Sequence, residues 1–321
     1  MSLLYLLLGL GGLLIGAELA VSGSLALAHR WRWPTWVTGV ILLALGTSLP
    51  ELFVSGASAP EHPDLALGAI FGSNAINVGG VLAMMLVLQS RGGIPLRQTS
   101  LVALILLAVG SVLSFWAFGS AEIPVWAGPT LLAMYLVLFF SSVLSGTPST
   151  PDDPEAGAPG EGLATTLPRA FAITGAGFAM LALAAGWFLE GALAIAEALG
   201  WGAGFAGYLI AAAGTSAPEF FTSYKAMRKG AVGAVFGNVL GSNAFNLLVV
   251  GGVVCLRAGV PLDPVQVKPQ VWVNLAFCLV LLLPMIFRRS GGRHTKTGVV
   301  GGVLLIVGYI ASAWWIGSGT Q

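Results

Sequence analysis

Charge is scarce in this sequence. Only 8% of its 321 residues are Asp, Glu, Lys or Arg, where a soluble domain carries about 25%. With 56% hydrophobic residues and a mean hydropathy of +0.90, there is more apolar surface than a core can absorb, because a soluble protein must still wet its outside. Lipid is therefore the solvent over most of the surface. A net charge of +1 implies neither a nucleic-acid nor an acidic partner, and no obligate protein partner is evident. Cys255 and Cys278 sit in apolar runs without CxxC or His-spaced company and read as buried free thiols. There is no nucleophile–base pair and no HExxH cluster, which argues against an enzyme. No Lys or Arg precedes Arg30, so the N-terminal apolar run lacks a signal peptide's basic region. It is also too long for one, and reads as a retained first helix.

What is abundant is long apolar segments. Runs able to cross about 30 Å of hydrocarbon fall near 2–28, 35–58, 65–89, 99–119, 124–145, 168–198, 203–226, 231–256, 269–287 and 297–317. Lipid offers no partner for free backbone groups, so spans are helices or closed barrels. These runs lack the ten-residue alternation of barrel strands. The fold class expected is an all-α integral membrane protein with ten transmembrane helices.

Of the 14 Lys and Arg residues, all but Arg257 and Lys268 fall in loops after odd-numbered spans or at their ends. The positive-inside rule makes that side cytoplasmic. Both termini then lie outside the cytoplasm of a multi-pass cell (inner) membrane protein. Residues 146–166, rich in Pro and acids, read as a flexible cytoplasmic linker between a first five-helix repeat, 1–145, and a second, 167–321.

The repeat is legible in the residues. Gly46-Thr47-Ser48-Leu49-Pro50-Glu51 in the second span returns as Gly214-Thr215-Ser216-Ala217-Pro218-Glu219 in the seventh, 168 positions later. Gly72-Ser73-Asn74-Ala75-Ile76-Asn77 in the third returns as Gly241-Ser242-Asn243-Ala244-Phe245-Asn246 in the eighth, at 169. Five spans separate each block from its copy, and an odd number reverses the direction through the membrane. The two repeats are therefore expected in inverted topology, the plan in which transporters place their site at mid-membrane between the halves.

Glu51 and Glu219 near the bilayer centre are expensive unless compensated, and no Lys or Arg shares the motif spans at their depth. A cation or a proton is the natural compensation. Thr47 and Glu51, and again Thr215 and Glu219, are spaced i, i+4 and share a helix face. Ser73 with Asn77, and Ser242 with Asn246, do the same and add a hydroxyl and an amide oxygen. Pro50 and Pro218 free the carbonyls of Gly46 and Gly214, which either serve as neutral ligands or mark kinks where glycine admits a neighbouring helix; both can hold. Asn74 and Asn243 point off the Ser–Asn face and read as interhelical hydrogen-bond glue. Asn238 has only Ala69 as its counterpart and stays outside the core site. Glu18 and Glu190 lack repeat partners and read as interfacial; Glu61, His62 and Asp64 read as a solvated outer turn. The ligand set is all oxygen, which suits hard cations such as Ca²⁺, with Na⁺ also able to use it.

At these four blocks the chain resembles the cation/Ca²⁺ exchanger superfamily, specifically the compact prokaryotic sodium/calcium exchangers. The resemblance implies a diamond of ion sites among the second, third, seventh and eighth spans. Glu51 and Glu219 would bind Ca²⁺ with Thr47 and Thr215; Ser48, Ser73, Ser216 and Ser242 would complete flanking Na⁺ sites; Asn77 and Asn246 would close the centre. The long first and sixth spans look like a sliding gate pair. Many sodium/calcium exchangers carry Asp where this chain has Asn246, and an amide can ligate but cannot titrate. The expected function is Ca²⁺/Na⁺ antiport by alternating access, with no cofactor beyond the transported ions; H⁺/Ca²⁺ antiport is the alternative, and a passive cation channel the rival of another class.

Overall fold

The computed structural model describes residues 1–30, 47–88, 101–119, 122–144, 166–228, 232–286 and 295–318. Gly46 and the linker at 146–165 lie outside the described residues. The helices are α1 (Ser2–Arg30), α2 (Leu49–Ser58), α3 (Pro63–Leu88), α4 (Leu101–Phe118), α5 (Ala127–Leu144) and α6 (Leu167–Leu199). They continue with α7 (Ala203–Thr215) and α8 (Ala217–Arg228). Next, α9 begins as Val232–Phe245 and continues through Asn246–Val250 and Gly251–Arg257. The last two are α10 (Pro264–Ile286) and α11 (Thr295–Ser318). Among the described residues there is no strand.

Five described helical segments are long and apolar enough to cross a membrane: Ser2–Ala20, Pro63–Leu88, Leu167–Leu199, Val235–Arg257 and Val299–Ser318. The exterior carries large apolar side chains, with Leu183 65%, Leu304 64% and Trp116 70% exposed. The interior holds the polar ones, since Ser48, Glu51, Ser73, Asn74 and Asn77 are all 0% exposed. That distribution suits a protein dissolved in lipid, where an apolar outside has no penalty and polar groups must find partners inside.

The sequence places one continuous span over 203–226. The structure divides it at Ser216 into α7 and α8. The ninth span starts at Pro264, earlier than the 269 that hydropathy suggests, because Gln266 and Gln270 bond within the fold: the Gly204 N–H donates to Gln266 Oε1, and Gln270 Nε2 donates to the Gln266 carbonyl. Three π-helical segments, Asn77–Leu82, Gly207–Ala211 and Asn246–Val250, lie inside α3, α7 and α9. A hydropathy pattern does not register such an extra-residue turn, and these turns concentrate at functional sites.

α1 and α6 form a long antiparallel pair joined through small residues. A Cβ on Gly9 would meet the Phe188 backbone N at 2.3 Å, and one on Gly177 would meet the Ala20 backbone N at 2.3 Å. Gly23 faces Thr174 and Ala170 as Gly191 faces Leu6 and Ser2. Adding 168 to the first partner of each contact yields a residue of the second: Gly9 gives Gly177, Gly23 gives Gly191, Ala20 gives Phe188 and Leu6 gives Thr174. Contacts that exchange in this way are the signature of a two-fold relation between the helices. Elsewhere α5 packs on the last part of α9, and α11 on the last part of α3, which is the same exchange between sequence-equivalent elements. Leu13, Ala17, Leu181, Ala184 and Phe188 belong to an apolar core separate from the larger one beneath α3, α4, α9 and α10. The α1–α6 pair shares that core with Leu49 and Val54 of α2, Leu65 and Ala69 of α3 and Ala211 of α7.

Candidate functional site

Two helix breaks build the site. The chain is helical at Thr47, bends at Ser48 (φ −96°, ψ 10°) and restarts at Leu49. It does the same at Thr215, Ser216 (φ −79°, ψ 2°) and Ala217. Pro50 and Pro218 fall in the first turn of the new helix, where a proline's missing N–H breaks no bond. Glu51 and Glu219 sit in the same turns, at the helix end whose dipole favours a carboxylate.

Each acid is held by the opposite half. Ser48 Oγ donates to Glu219 Oε1 at 2.9 Å, and Ser216 Oγ lies within donating distance of Glu51 Oε1 at 3.4 Å. Ser73 Oγ, from α3, donates to Glu51 Oε1 at 3.0 Å and lies 2.6 Å from Ser216 Oγ. Thr47 Oγ1 lies 3.5 Å from Ser242 Oγ. Thr215 neighbours the Glu51 carboxyl and Thr47 that of Glu219, although the Thr215 hydroxyl makes no hydrogen bond of good geometry.

The asparagines interlock across the same boundary. Asn77 Nδ2 donates to Asn243 Oδ1 at 3.0 Å, and Asn246 Nδ2 donates to Asn74 Oδ1 at 3.3 Å. These two bonds are again exchanged equivalents. Asn246 Nδ2 also donates to Ser73 Oγ at 3.0 Å, and Asn243 Nδ2 to the Asn74 carbonyl at 3.3 Å. Both Asn77 and Asn246 open a π-helical segment.

Among the described residues, seven buried side-chain polar atoms have no hydrogen-bond partner, and five belong to this cluster: Glu51 Oε2, Glu219 Oε2, Asn77 Oδ1, Asn246 Oδ1 and Thr215 Oγ1. An unpaired buried oxygen costs about 1–3 kcal/mol, so five in one place make a set of acceptors suited to a cation. Four of the five can only accept when the acids are ionised.

The structure thus brings together Thr47, Ser48, Glu51, Ser73, Asn77, Thr215, Ser216, Glu219, Ser242 and Asn246, each 0–7% exposed. Gly214 lies beside them, under the Phe188 ring of α6. Asn238 stands one turn away on α9, with its Nδ2 donating to Ser223 Oγ at 3.0 Å. Glu18 and Glu190 are exposed and do not join. Asp64 Oδ1 accepts from the Asp263 N–H at 2.9 Å, tying the start of α3 to the turn before α10. Sequence reasoning missed Asn274 on α10 and Ser111 on α4. Both are fully buried, and Asn74 Nδ2 donates to Asn274 Oδ1 at 2.9 Å. The available signal was a lone amide within the apolar run Val271-Trp272-Val273-Asn274-Leu275-Ala276-Phe277.

A helical, lipid-facing exterior around an acidic, oxygen-lined centre defines a multi-pass membrane protein of the ion-transporting kind. The chain belongs to the sodium/calcium exchanger family, whose model, described as sodium/calcium exchanger protein, matches residues 1–144 and 169–317. It is thus a membrane cation/Ca²⁺ antiporter by family. It is 28% identical to the inner membrane protein YrbG of Escherichia coli over 324 residues, 97% of this chain and 96% of that one. It is 27% identical to the sodium/calcium exchanger MaX1 of Methanosarcina acetivorans, with 96% of each covered. A solved structure of the sodium-calcium exchanger NCX_Mj, soaked with Na⁺ and Sr²⁺, superposes with a TM-score of 0.61 at 26% identity, covering 97% of both chains.

Proposed function

We propose that this protein exchanges Ca²⁺ for Na⁺ across the cell membrane by alternating access, with Glu51 and Glu219 as the shared carboxylates. The observation that carries the reading is the pair of orphaned acid oxygens, Glu51 Oε2 and Glu219 Oε2, each on a carboxyl gripped by a serine of the other half. Two buried charges with no Lys or Arg in residues 47–88, 203–224 or 232–256 cost several kcal/mol each unless neutralised. One Ca²⁺ or several Na⁺ do this equally. Ca²⁺ takes six to eight oxygens in flexible geometry, and the two acids, Thr47, Thr215, Asn77 and Asn246 provide that set. Ser48, Ser73, Ser216 and Ser242 complete flanking Na⁺ positions. The carbonyls of Gly46 and Gly214 are further neutral ligands.

The exchanged contacts of α1 with α6 support ten spans in two inverted five-helix repeats, 1–145 and 167–321, joined by a cytoplasmic linker at 146–166. The distribution of Lys and Arg supports termini outside the cytoplasm. The α1–α6 pair, joined along its small-residue seam, is the element that slides. A loaded site is neutral and passes the apolar barrier; an empty, doubly charged one does not, and this couples the two ions. H⁺ in place of Na⁺ is the second reading, with Glu51 and Glu219 as the groups that would carry the proton, since the Asn246 amide cannot titrate.

Proteoliposomes decide. Vesicles loaded with Na⁺ take up Ca²⁺ in proportion to the Na⁺ gradient if the proposal holds. Uptake that ignores Na⁺ and follows a pH gradient moves the assignment to H⁺ exchange. Uptake without any counter-ion makes the protein a channel.

A further inference from the structure

The Asn246 amide is the end of a hydrogen-bond chain that leaves the site and crosses two further helices. Asn246 Nδ2 donates to Asn74 Oδ1 at 3.3 Å, and Asn74 Nδ2 donates to Asn274 Oδ1 at 2.9 Å. Asn274 Nδ2 donates to Ser111 Oγ at 3.4 Å, and Ser111 Oγ donates to the Leu107 carbonyl at 2.8 Å. Every side chain in the chain is fully buried. Cys278 Sγ lies 3.0 Å from the same hydroxyl.

The polarity of this chain is fixed by its far end. The acceptors of the single Ser111 proton are the Leu107 carbonyl, which only accepts, and Cys278 Sγ, so the Ser111 oxygen is left to accept from Asn274. Asn274 must then offer it an N–H and turn its own oxygen to Asn74. Asn74 in turn offers N–H to Asn274 and oxygen to Asn246. Asn246 ends with its N–H groups on Asn74 and Ser73, the latter a donor to Glu51, and its Oδ1 buried and unpaired. The Asn77 amide is set more briefly: it donates to Asn243 Oδ1, and Asn243 donates to the Asn74 carbonyl. Both routes end on an acceptor-only carbonyl, and both leave an orphaned amide oxygen.

We infer that Asn274 and Ser111, on helices outside the four that carry the motifs, are positioning residues that hold the Asn246 amide oxygen toward the transported cation. A neutral ligand needs this support and a carboxylate does not, because an amide turned by 180° presents N–H to a cation while a carboxylate presents oxygen either way. The inference rests on the proposed role of Asn246 as a ligand.

The test is a double-mutant cycle on the full-length protein, reading Ca²⁺ binding to purified protein and the apparent KM and maximal rate of exchange in proteoliposomes. Asn274→Leu raises the Ca²⁺ dissociation constant and KM about tenfold, the size expected for one buried hydrogen bond, with the maximal rate within about twofold. Asn274→Asp retains wild-type affinity, because a protonated carboxyl at that position accepts from Asn74 and donates to Ser111 as the amide does. Ser111→Ala, a smaller change less able to harm folding, moves affinity in the same direction as Asn274→Leu. In an Asn246→Asp background the further cost of Asn274→Leu disappears. An equal cost in both backgrounds, or no cost in either, overturns the inference. Asn246→Ala with unchanged Ca²⁺ affinity is a different failure: it removes Asn246 from the ligand set whatever Asn274 does.

Discussion

Ser48 Oγ donates to Glu219 Oε1 at 2.9 Å across 171 positions of sequence. Its sequence equivalent, Ser216, reaches Glu51 Oε1 at 3.4 Å. Each acid therefore has a serine from the other copy of the motif on its Oε1. The exchange is not perfect, because Glu51 also receives Ser73 while no bond from Ser242 to Glu219 accompanies it. Glu51 thus has two serine hydroxyls on Oε1 and Glu219 one, with Thr47 beside it.

Removing either charge should separate binding from folding. Glu51→Gln and Glu219→Gln keep the shape and still accept from the serines, but leave one formal charge to face a divalent ion. Exchange should fall below about 1% of wild type, as expected when one partner of a buried charge pair worth about 3–5 kcal/mol is lost. Ca²⁺ should stabilise the wild-type protein against heat by linkage, and either variant should lose that Ca²⁺-dependent rise in Tm. A thermal scan with and without Ca²⁺ checks this, and a full Ca²⁺-dependent rise in Glu219→Gln would remove Glu219 from the site.

Asn246→Asp should make the protein sensitive to pH. The wild-type centre has two carboxylates, and a third adds a group for which H⁺ competes with the cargo. Protonation is favoured as pH falls, so the variant should lose Ca²⁺ affinity toward acid pH more steeply than wild type, and gain affinity toward alkaline pH. Ca²⁺ titrations at several pH values measure the difference in slope. Equal slopes would mean that the residue at 246 does not share the cation with Glu51 and Glu219.

Much of this centre was legible in the sequence for a physical reason. Acids and amides inside apolar runs stand out, and their recurrence at a shift of 168 or 169 ties Glu51 to Glu219 and Asn77 to Asn246. The small-residue seam obeys the same shift, Gly9 with Gly177 and Gly23 with Gly191, but glycine is common here at 45 residues, which hid the pattern. The full break at Ser216 was not legible either, because Pro218 is equally consistent with a kink. Asn274 and Ser111 have no repeat partners of their own kind, since their equivalents by shift are apolar, Ile105 and Val280. A residue that matters through a contact its repeat equivalent does not make leaves no trace in a search for repeats.

The seam predicts a variant impaired in rate and not in equilibrium binding. A Cβ at Gly9 meets backbone atoms of Phe188 at 2.3 and 2.5 Å, so the helices themselves must part. Gly9→Ala and Gly177→Ala should each cost about 1–3 kcal/mol of packing, lower the maximal exchange rate by about tenfold or more, and leave Ca²⁺ binding to purified protein within about twofold. A rate loss accompanied by an equal loss of Ca²⁺ affinity would place the seam in the site instead of in the moving element.

Gly214 separates the two uses of its position. A Cβ there meets Phe188 Cζ at 2.6 Å and Leu10 Cδ1 at 3.5 Å, so Gly214→Ala presses on the α1–α6 pair while sitting next to Thr215. If glycine is present for close packing, Gly214→Ala should slow exchange about tenfold at unchanged Ca²⁺ affinity, and Phe188→Ala in the same protein should restore the rate toward that of Phe188→Ala alone, because the ring that clashes is gone. If the Gly214 carbonyl is also a ligand, the added methyl shifts it. Ca²⁺ affinity then falls several-fold, and Phe188→Ala leaves that loss in place. Binding and flux measured on the two single variants and the double variant therefore read each role by itself, and they do so without touching either acid.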